Sequence, residues 1–289
     1  MKLRVSVVEY LNTVPLVWGF THGPLREKYD LRFAVPSECA EQLRRGEVDL
    51  GIIPVIEYPR ISSDTGRDLV VLPDMAVAAK NEVRSILVIA RKPIHAARSF
   101  ALDRSSRSSQ ALARILCAEH WKIQPEFVEM KPDAAAMLGE ADAALIIGDP
   151  ALRIAVSAAA SSYIPAVPGV ENLFIYDVAQ EWRSLTRLPC VLAMWVGRRD
   201  AMTPEVLGDF LASKAYGLPR ISEIAAEWSE RLKLPVSEIE HYLRENVDFG
   251  FDEENRRGLE LYFAKAAGLG LIPRALPIEL AARGVAVNL

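Results

Sequence analysis

The chain has 289 residues, 51% of them hydrophobic and 25% charged, and its 34 Lys and Arg against 38 Asp and Glu leave a formal net charge of −4. That length suits two domains or one large α/β unit, either of which can bury a core without disulfides or metals. The acidic balance lacks the basic footprint that neutralises a phosphate backbone, which argues against nucleic acid as a partner.

The N-terminal run MKLRVSVVEYLN carries Arg4 inside its apolar stretch and reads as a first β-strand rather than a signal peptide. No window approaches the ~18–20 uninterrupted apolar residues of a membrane span. The expectation is a cytoplasmic protein with no membrane partner. Cys39, Cys117 and Cys190 are odd in number and never form a C-x-x-C pair, so they read as buried small hydrophobes in a reducing compartment. His22, His95, His120 and His241 are equally scattered, and no metal site is predicted.

In chain order, the pattern predicts a strand at 3–8, a helix at 37–45, and strands at 48–54 and 85–90. A strand follows at 100–102, a helix at 108–120, a strand at 126–129, a helix at 132–139 and a buried strand at 143–147. The stretch 158–162 reads as a small-residue loop. The apolar run 189–197 is strand-like, and beyond it come amphipathic helices at 203–216, 219–232, 236–246 and 253–267. This rhythm favours an α/β protein with mostly parallel sheets. The runs at 85–90 and 189–197 bracket a block with strands and helices of its own, so one lobe is inserted into another. Residues 1–90 with 189–289 form lobe I and residues 91–188 form lobe II, with crossings near 91 and 188 and a ligand cleft between the lobes.

Several stretches could carry chemistry. Tyr10-Leu11-Asn12-Thr13-Val14-Pro15 follows the first strand, at the carboxyl end where open α/β sheets bind ligands. Asn12 either faces a ligand there or caps the following helix. Asp103-Arg104-Ser105-Ser106-Arg107-Ser108-Ser109 lies between a strand and a helix and offers hydroxyls, guanidinium groups and a helix N-terminus. All of these favour a carboxylate or phosphate, and a solvated capping loop is the plainer alternative. Ile147-Gly148-Asp149-Pro150 repeats that architecture, with Gly148 permitting close backbone approach and Asp149 serving as a ligand contact or an N-cap. Two anion-binding helix starts in one cleft would suit a dicarboxylate. Asp49 reads as a turn residue, and Glu57 and Tyr58 open a helix after a buried strand. No G-x-G-x-x-G, Walker loop or nucleophile elbow is present.

Read together, Y-L-N-x-x-P at 10–15, G-E-V-D-L-G-I-I-P at 46–54, V-R-S-I-L at 83–87, S-R-S-S at 106–109, I-G-D-P-A-L at 147–152 and L-P-x-V-x-A-x-W at 188–195 resemble one family. It is the chorismate dehydratases of the futalosine route to menaquinone. The resemblance implies a two-lobed, periplasmic-binding-protein-like type II fold and cofactor-independent conversion of chorismate into 3-[(1-carboxyvinyl)oxy]benzoate and water. A sister enzyme of the same fold acts later in that route and typically carries a histidine where this chain has Ile147-Gly148-Asp149. Departures from the family pattern are modest: Ser108-Ser109 replaces the usual Thr-Ser, and Arg187-Leu188-Pro189-Cys190 replaces a Thr-Gly-Leu-Pro-Phe type of run.

On this resemblance Asn12 and Ser85 are the candidate catalytic residues. Tyr10, Ser106, Arg107, Ser108, Ser109, Gly148 and Asp149 are the candidate substrate contacts. The matched segments offer no obvious general base except Asp149 or Glu57, which points to deprotonation at C3 by the substrate's own enolpyruvyl carboxylate. The rival class is a non-catalytic small-anion solute-binding protein, against which missing export and lipidation signals weigh. A regulator's sensor domain would need a helix-turn-helix that is absent. Oligomeric state stays open.

Overall fold

The structure, a computed structural model, describes residues 2–160 and 173–282. The first lobe begins with β1 (Arg4–Val8), α1 (Val14–Thr21), β2 (Asp30–Ala34), α2 (Pro36–Arg45), β3 (Leu50–Pro54), α3 (Glu57–Thr65) and β4 (Leu69–Ala79). The second lobe holds β5 (Ile86–Ala90), β6 (Ser99–Asp103), α4 (Arg107–Ile115), β7 (Glu126–Met130), α5 (Ala134–Glu140), β8 (Ala143–Ile147), α6 (Gly148–Ala160), β9 (Phe174–Asp177) and α7 (Val178–Thr186). The chain then returns with β10 (Cys190–Arg198) and the helices α8 (Pro204–Gly217), α9 (Ile221–Leu232), α10 (Val236–His241) and α11 (Glu253–Gly268).

Each lobe is built on a five-stranded sheet, in the orders β2-β1-β3-β10-β4 and β7-β6-β8-β5-β9. The sheets are mixed rather than mostly parallel. β10 runs antiparallel to β3 and β4, and β5 runs antiparallel to β8 and β9. In each case the reversed strand is the one that enters its sheet directly from the other lobe, so it arrives from the cleft side and runs away from it. The fully buried β3, β5 and β8 are continuous apolar runs because both of their faces are covered.

The strand at 85–90 belongs to the second sheet, which corrects the expected boundary. The first crossing falls between Ala79 and Ile86, not near 91, and the chain returns between Thr186 and Cys190. Asp177 stitches the first crossing down: its carboxylate accepts from the backbone N–H groups of Val83 (3.1 Å) and Arg84 (2.6 Å) while also capping α7. Arg84 (φ 60°) and Arg187 (φ 65°) take left-handed backbone at the two crossings.

Three strands carry weak sequence signals. β2 and β9 are short edge strands, and β4 is an edge strand interrupted by Pro73 and by Asp74 at φ 64°. Ala158, read as the start of a loop, lies in α6, whereas Ser161 and Ser162 lie outside the described residues, as do 283–289 of the expected first lobe. The C-terminal helices follow the predicted pattern, with α10 running into a π-helical turn at Tyr242–Asn246. α8 packs on α1 through glycine: a Cβ on Gly217 would stand 2.0 Å from the Pro15 carbonyl oxygen. No helix among the described residues is long and apolar enough to cross a membrane.

Candidate active site

Chain reversals at the carboxyl ends of the parallel strands bring the candidate residues to the line where the lobes meet. After β1 the backbone folds into a 3-10 turn, Leu11–Thr13, held by the Thr13 hydroxyl, which donates to the carbonyl of Val8 at 2.5 Å. Asn12 is thereby turned into the cleft. It does not cap α1: its Oδ1 is buried and has no hydrogen-bond partner among the described residues. From the C-terminal helices the buried Tyr242 donates its hydroxyl to Ser85 Oγ at 2.8 Å, and the Asn12 amide lies against the same phenol oxygen. Burial pushes the Tyr242 phenol well above its ordinary range, so it stays protonated.

On the second lobe Ser106 stands at the N-cap of α4 without its side chain capping the helix. Its hydroxyl donates instead to Ser109 Oγ at 2.8 Å, which leaves the amides of the first turn to a ligand. Gly148 opens α6 at φ 67° and donates its N–H to the Ser85 carbonyl at 2.7 Å. The Tyr10 ring lies on Gly148, and its phenol is pushed up to about 12 by burial.

Tyr10, Asn12, Ser85, Ser106, Ser109 and Gly148 thus surround one cavity, completed by apolar groups from both lobes that include Pro36, Val77, Ile86 and Leu192. None of the described residues that line it is charged. The lobes meet beside it through hydrogen bonds from backbone N–H groups: Ser37 N–H to the Ser105 carbonyl at 3.0 Å and Leu11 N–H to the Asp149 side-chain Oδ1 at 3.1 Å.

Three expected substrate contacts lie behind this wall. Arg107 pairs across the lobes with Glu41 (2.7 Å) and Glu57 (3.0 Å), so its charge is already spent within the protein. Ser108 Oγ accepts from Ile56 N–H at 3.2 Å, and its carbonyl accepts from the Tyr262 hydroxyl at 3.1 Å. Asp149 holds the Leu11 amide, and burial raises its carboxyl to about 6. Glu57, the other candidate base, is fully buried and accepts from Arg44 (2.9 Å), Arg60 (2.8 Å) and Arg107. Asp49 is likewise an anchor, bound by Arg4 Nη2 at 2.8 Å. Tyr242 was not legible in the sequence, since nothing in His241-Tyr242-Leu243-Arg244 marks it as facing a site.

Two sheets of this order, two crossings and an interlobe cavity define the periplasmic-binding-protein fold. In keeping with that, the structure is similar to a protein of Archaeoglobus fulgidus, with a TM-score of 0.71 at 19% identity over 94% of this chain and 98% of that one. It is also similar to the periplasmic aliphatic sulphonate binding protein SsuA of Escherichia coli, with a TM-score of 0.62 at 20% identity over 100% of this chain and 96% of that one. The sequence model of the menaquinone biosynthesis family matches residues 3–268, and the chain belongs to that family. It is 30% identical to the chorismate dehydratase of Thermus thermophilus over 94% of this chain and 98% of that protein.

Proposed function

We propose that the protein is a chorismate dehydratase of menaquinone biosynthesis, a lyase that converts chorismate into 3-[(1-carboxyvinyl)oxy]benzoate and water. The observation that carries the mechanism is an interlobe cavity with hydroxyls, an amide and a helix N-terminus but, among the described residues, no charged side chain in its wall. Such a site can position and polarise a dianion. Its one titratable lining group, Tyr10, is held protonated and cannot serve as a base at neutral pH.

Chorismate brings its own base. The C3 hydrogen is vinylogously acidic, because the charge left by its removal delocalises through the C1–C2 double bond into the ring carboxylate. With that carboxylate at the start of α4, the Ser109 hydroxyl, whose proton is free because it accepts from Ser106, and the amides of the first turn stabilise the dienolate as it forms. The enolpyruvyl carboxylate, next to C3, takes the proton. The C4–O bond then breaks as the ring becomes aromatic, and hydroxide leaves with one proton as water. Asn12 and Ser85 hold the enolpyruvyl side chain and the departing hydroxyl in the reactive rotamer. The elimination has no net electron transfer, so it needs no redox cofactor.

Incubation of the purified protein with chorismate alone, followed by chromatography and ultraviolet spectra, tests the reading. The expected result is the aromatic enolpyruvyl ether at catalytic rates. Chorismate that is bound but recovered unchanged would instead establish a small-anion binding protein, the activity that SsuA's name describes for a neighbour of this fold.

A further inference from the structure

A hydroxyl that both accepts and donates is ambiguous by itself: Ser85 could turn its proton toward the cavity or toward its own loop. The buried Tyr242 limits that freedom. Its hydroxyl donates to Ser85 Oγ at 2.8 Å and occupies one acceptor position, so the Ser85 proton turns away from the phenol, and Ser85 lines the cavity. On the other side the Asn12 amide lies against the same phenol oxygen. Asn12 Oδ1, buried and without a hydrogen-bond partner among the described residues, stands nearby as an acceptor. Tyr242 is 1% exposed and is not in the cavity wall, so it touches neither substrate nor reacting atoms.

We propose that Tyr242 is a positioning residue that sets the polarity of the cleft by fixing Ser85 as a hydrogen-bond donor. This rests on the dehydratase reading. A donor at Ser85 suits the enolpyruvyl carboxylate, and an acceptor at Asn12 suits the C4 hydroxyl. The residue comes from the C-terminal helices, 157 positions from Ser85 in the chain, so docking of that helical block on the hinge is part of assembling the site. The π-helical turn that begins at Tyr242 widens the helix at this point, a feature that often accompanies functional side chains.

The test is steady-state kinetics with chorismate on Tyr242→Phe, Ser85→Ala and the double variant, with wild type in the same assay. Tyr242→Phe keeps the ring and removes only the hydroxyl. The expected result is a loss in kcat of about 10- to 100-fold with KM within about 3-fold. In the Ser85→Ala background the same change is expected to cost less than about 3-fold, because the partner it orients is gone. A Tyr242→Phe enzyme with wild-type kcat, or losses that multiply in the double variant, overturns the proposal. Wild type that leaves chorismate intact removes the dehydratase reading itself, a different result from an active wild type with an indifferent Tyr242. Should Tyr242→Phe fail to fold, fluorotyrosine at 242 changes the hydroxyl's donor strength without changing the ring's shape. It must then shift kcat and leave KM unmoved, and an unmoved kcat refutes the role.

Discussion

The ring of Tyr10 rests on the α-carbon of Gly148, so closely that a Cβ on the glycine would meet three ring carbons at 2.8–2.9 Å. The two residues come from opposite lobes, and their contact closes one end of the cavity. Gly148 also sits at φ 67°, where a side chain is strained by ~1–2 kcal/mol. Gly148→Ala is therefore expected to push Tyr10 out of the wall and lower kcat/KM by about 10- to 100-fold. Steady-state assays with chorismate check this, and near-normal kcat/KM would mean that the contact is incidental.

Asn12 and Ser85 present the polar atoms nearest the expected reacting centre. Asn12→Ala and Ser85→Ala are each expected to lower kcat by about 100-fold, with a smaller change in KM, because what they supply is orientation in the transition state. If both variants kept near-normal kcat/KM, the assignment of these residues would be wrong.

Glu57 distinguishes a structural carboxylate from a catalytic base. It is fully buried among three guanidinium groups, so removal of its charge takes from Arg44, Arg60 and Arg107 the carboxylate they share. Glu57→Gln is expected to destabilise the protein by about 3 kcal/mol, read as a melting temperature lower by roughly 5–10 °C. The kcat of the folded enzyme should stay within about 3-fold of wild type. Abolished turnover at an unchanged melting temperature would make Glu57 the base.

Asp149 carries a pH signature. Burial lifts its carboxyl to about 6, above the value of about 3.9 expected in an unfolded chain. The folded protein therefore holds this proton more tightly than the unfolded chain does. Stability from this group is present at low pH and is lost as pH rises from about 4 to about 6, by ~2 kcal/mol after allowance for solvent at its exposed edge. Asp149→Asn still accepts the Leu11 amide and has no charge to bury. The variant should melt above wild type at pH 7, and the difference should vanish near pH 4. Thermal melts across that range decide it, and a variant less stable than wild type at pH 7 contradicts the sign.

Local pattern was enough to place much of the molecule. The apolar runs of β3, β5, β8 and β10, the proline and threonine at the start of α8, and the amphipathic helices after β10 are written in consecutive residues. Periodicity and capping are decided within a few positions of the chain. The positions of Tyr10, Asn12, Ser106, Ser109 and Gly148 on the cavity were legible for the same reason, since each lies in the turn or first helical turn after a strand, and the carboxyl ends of strands face the cleft.

Partnership was not local, and there the tertiary structure decided. The sheet that β5 joins depends on where the crossing falls, and a strand looks the same in either lobe. Arg107, Ser108 and Asp149 look like ligand groups in sequence. In the fold they bond to Glu57, Ile56 and Leu11, residues separated from them by 50 to 138 positions, and these bonds help hold the lobes together. Tyr242 is the converse case, silent in sequence and joined to Ser85 only because the C-terminal helices pack against the hinge. A side chain's type is a property of the sequence, but whether its donors and acceptors remain free for a substrate depends on which distant atoms folding brings within 3 Å of them.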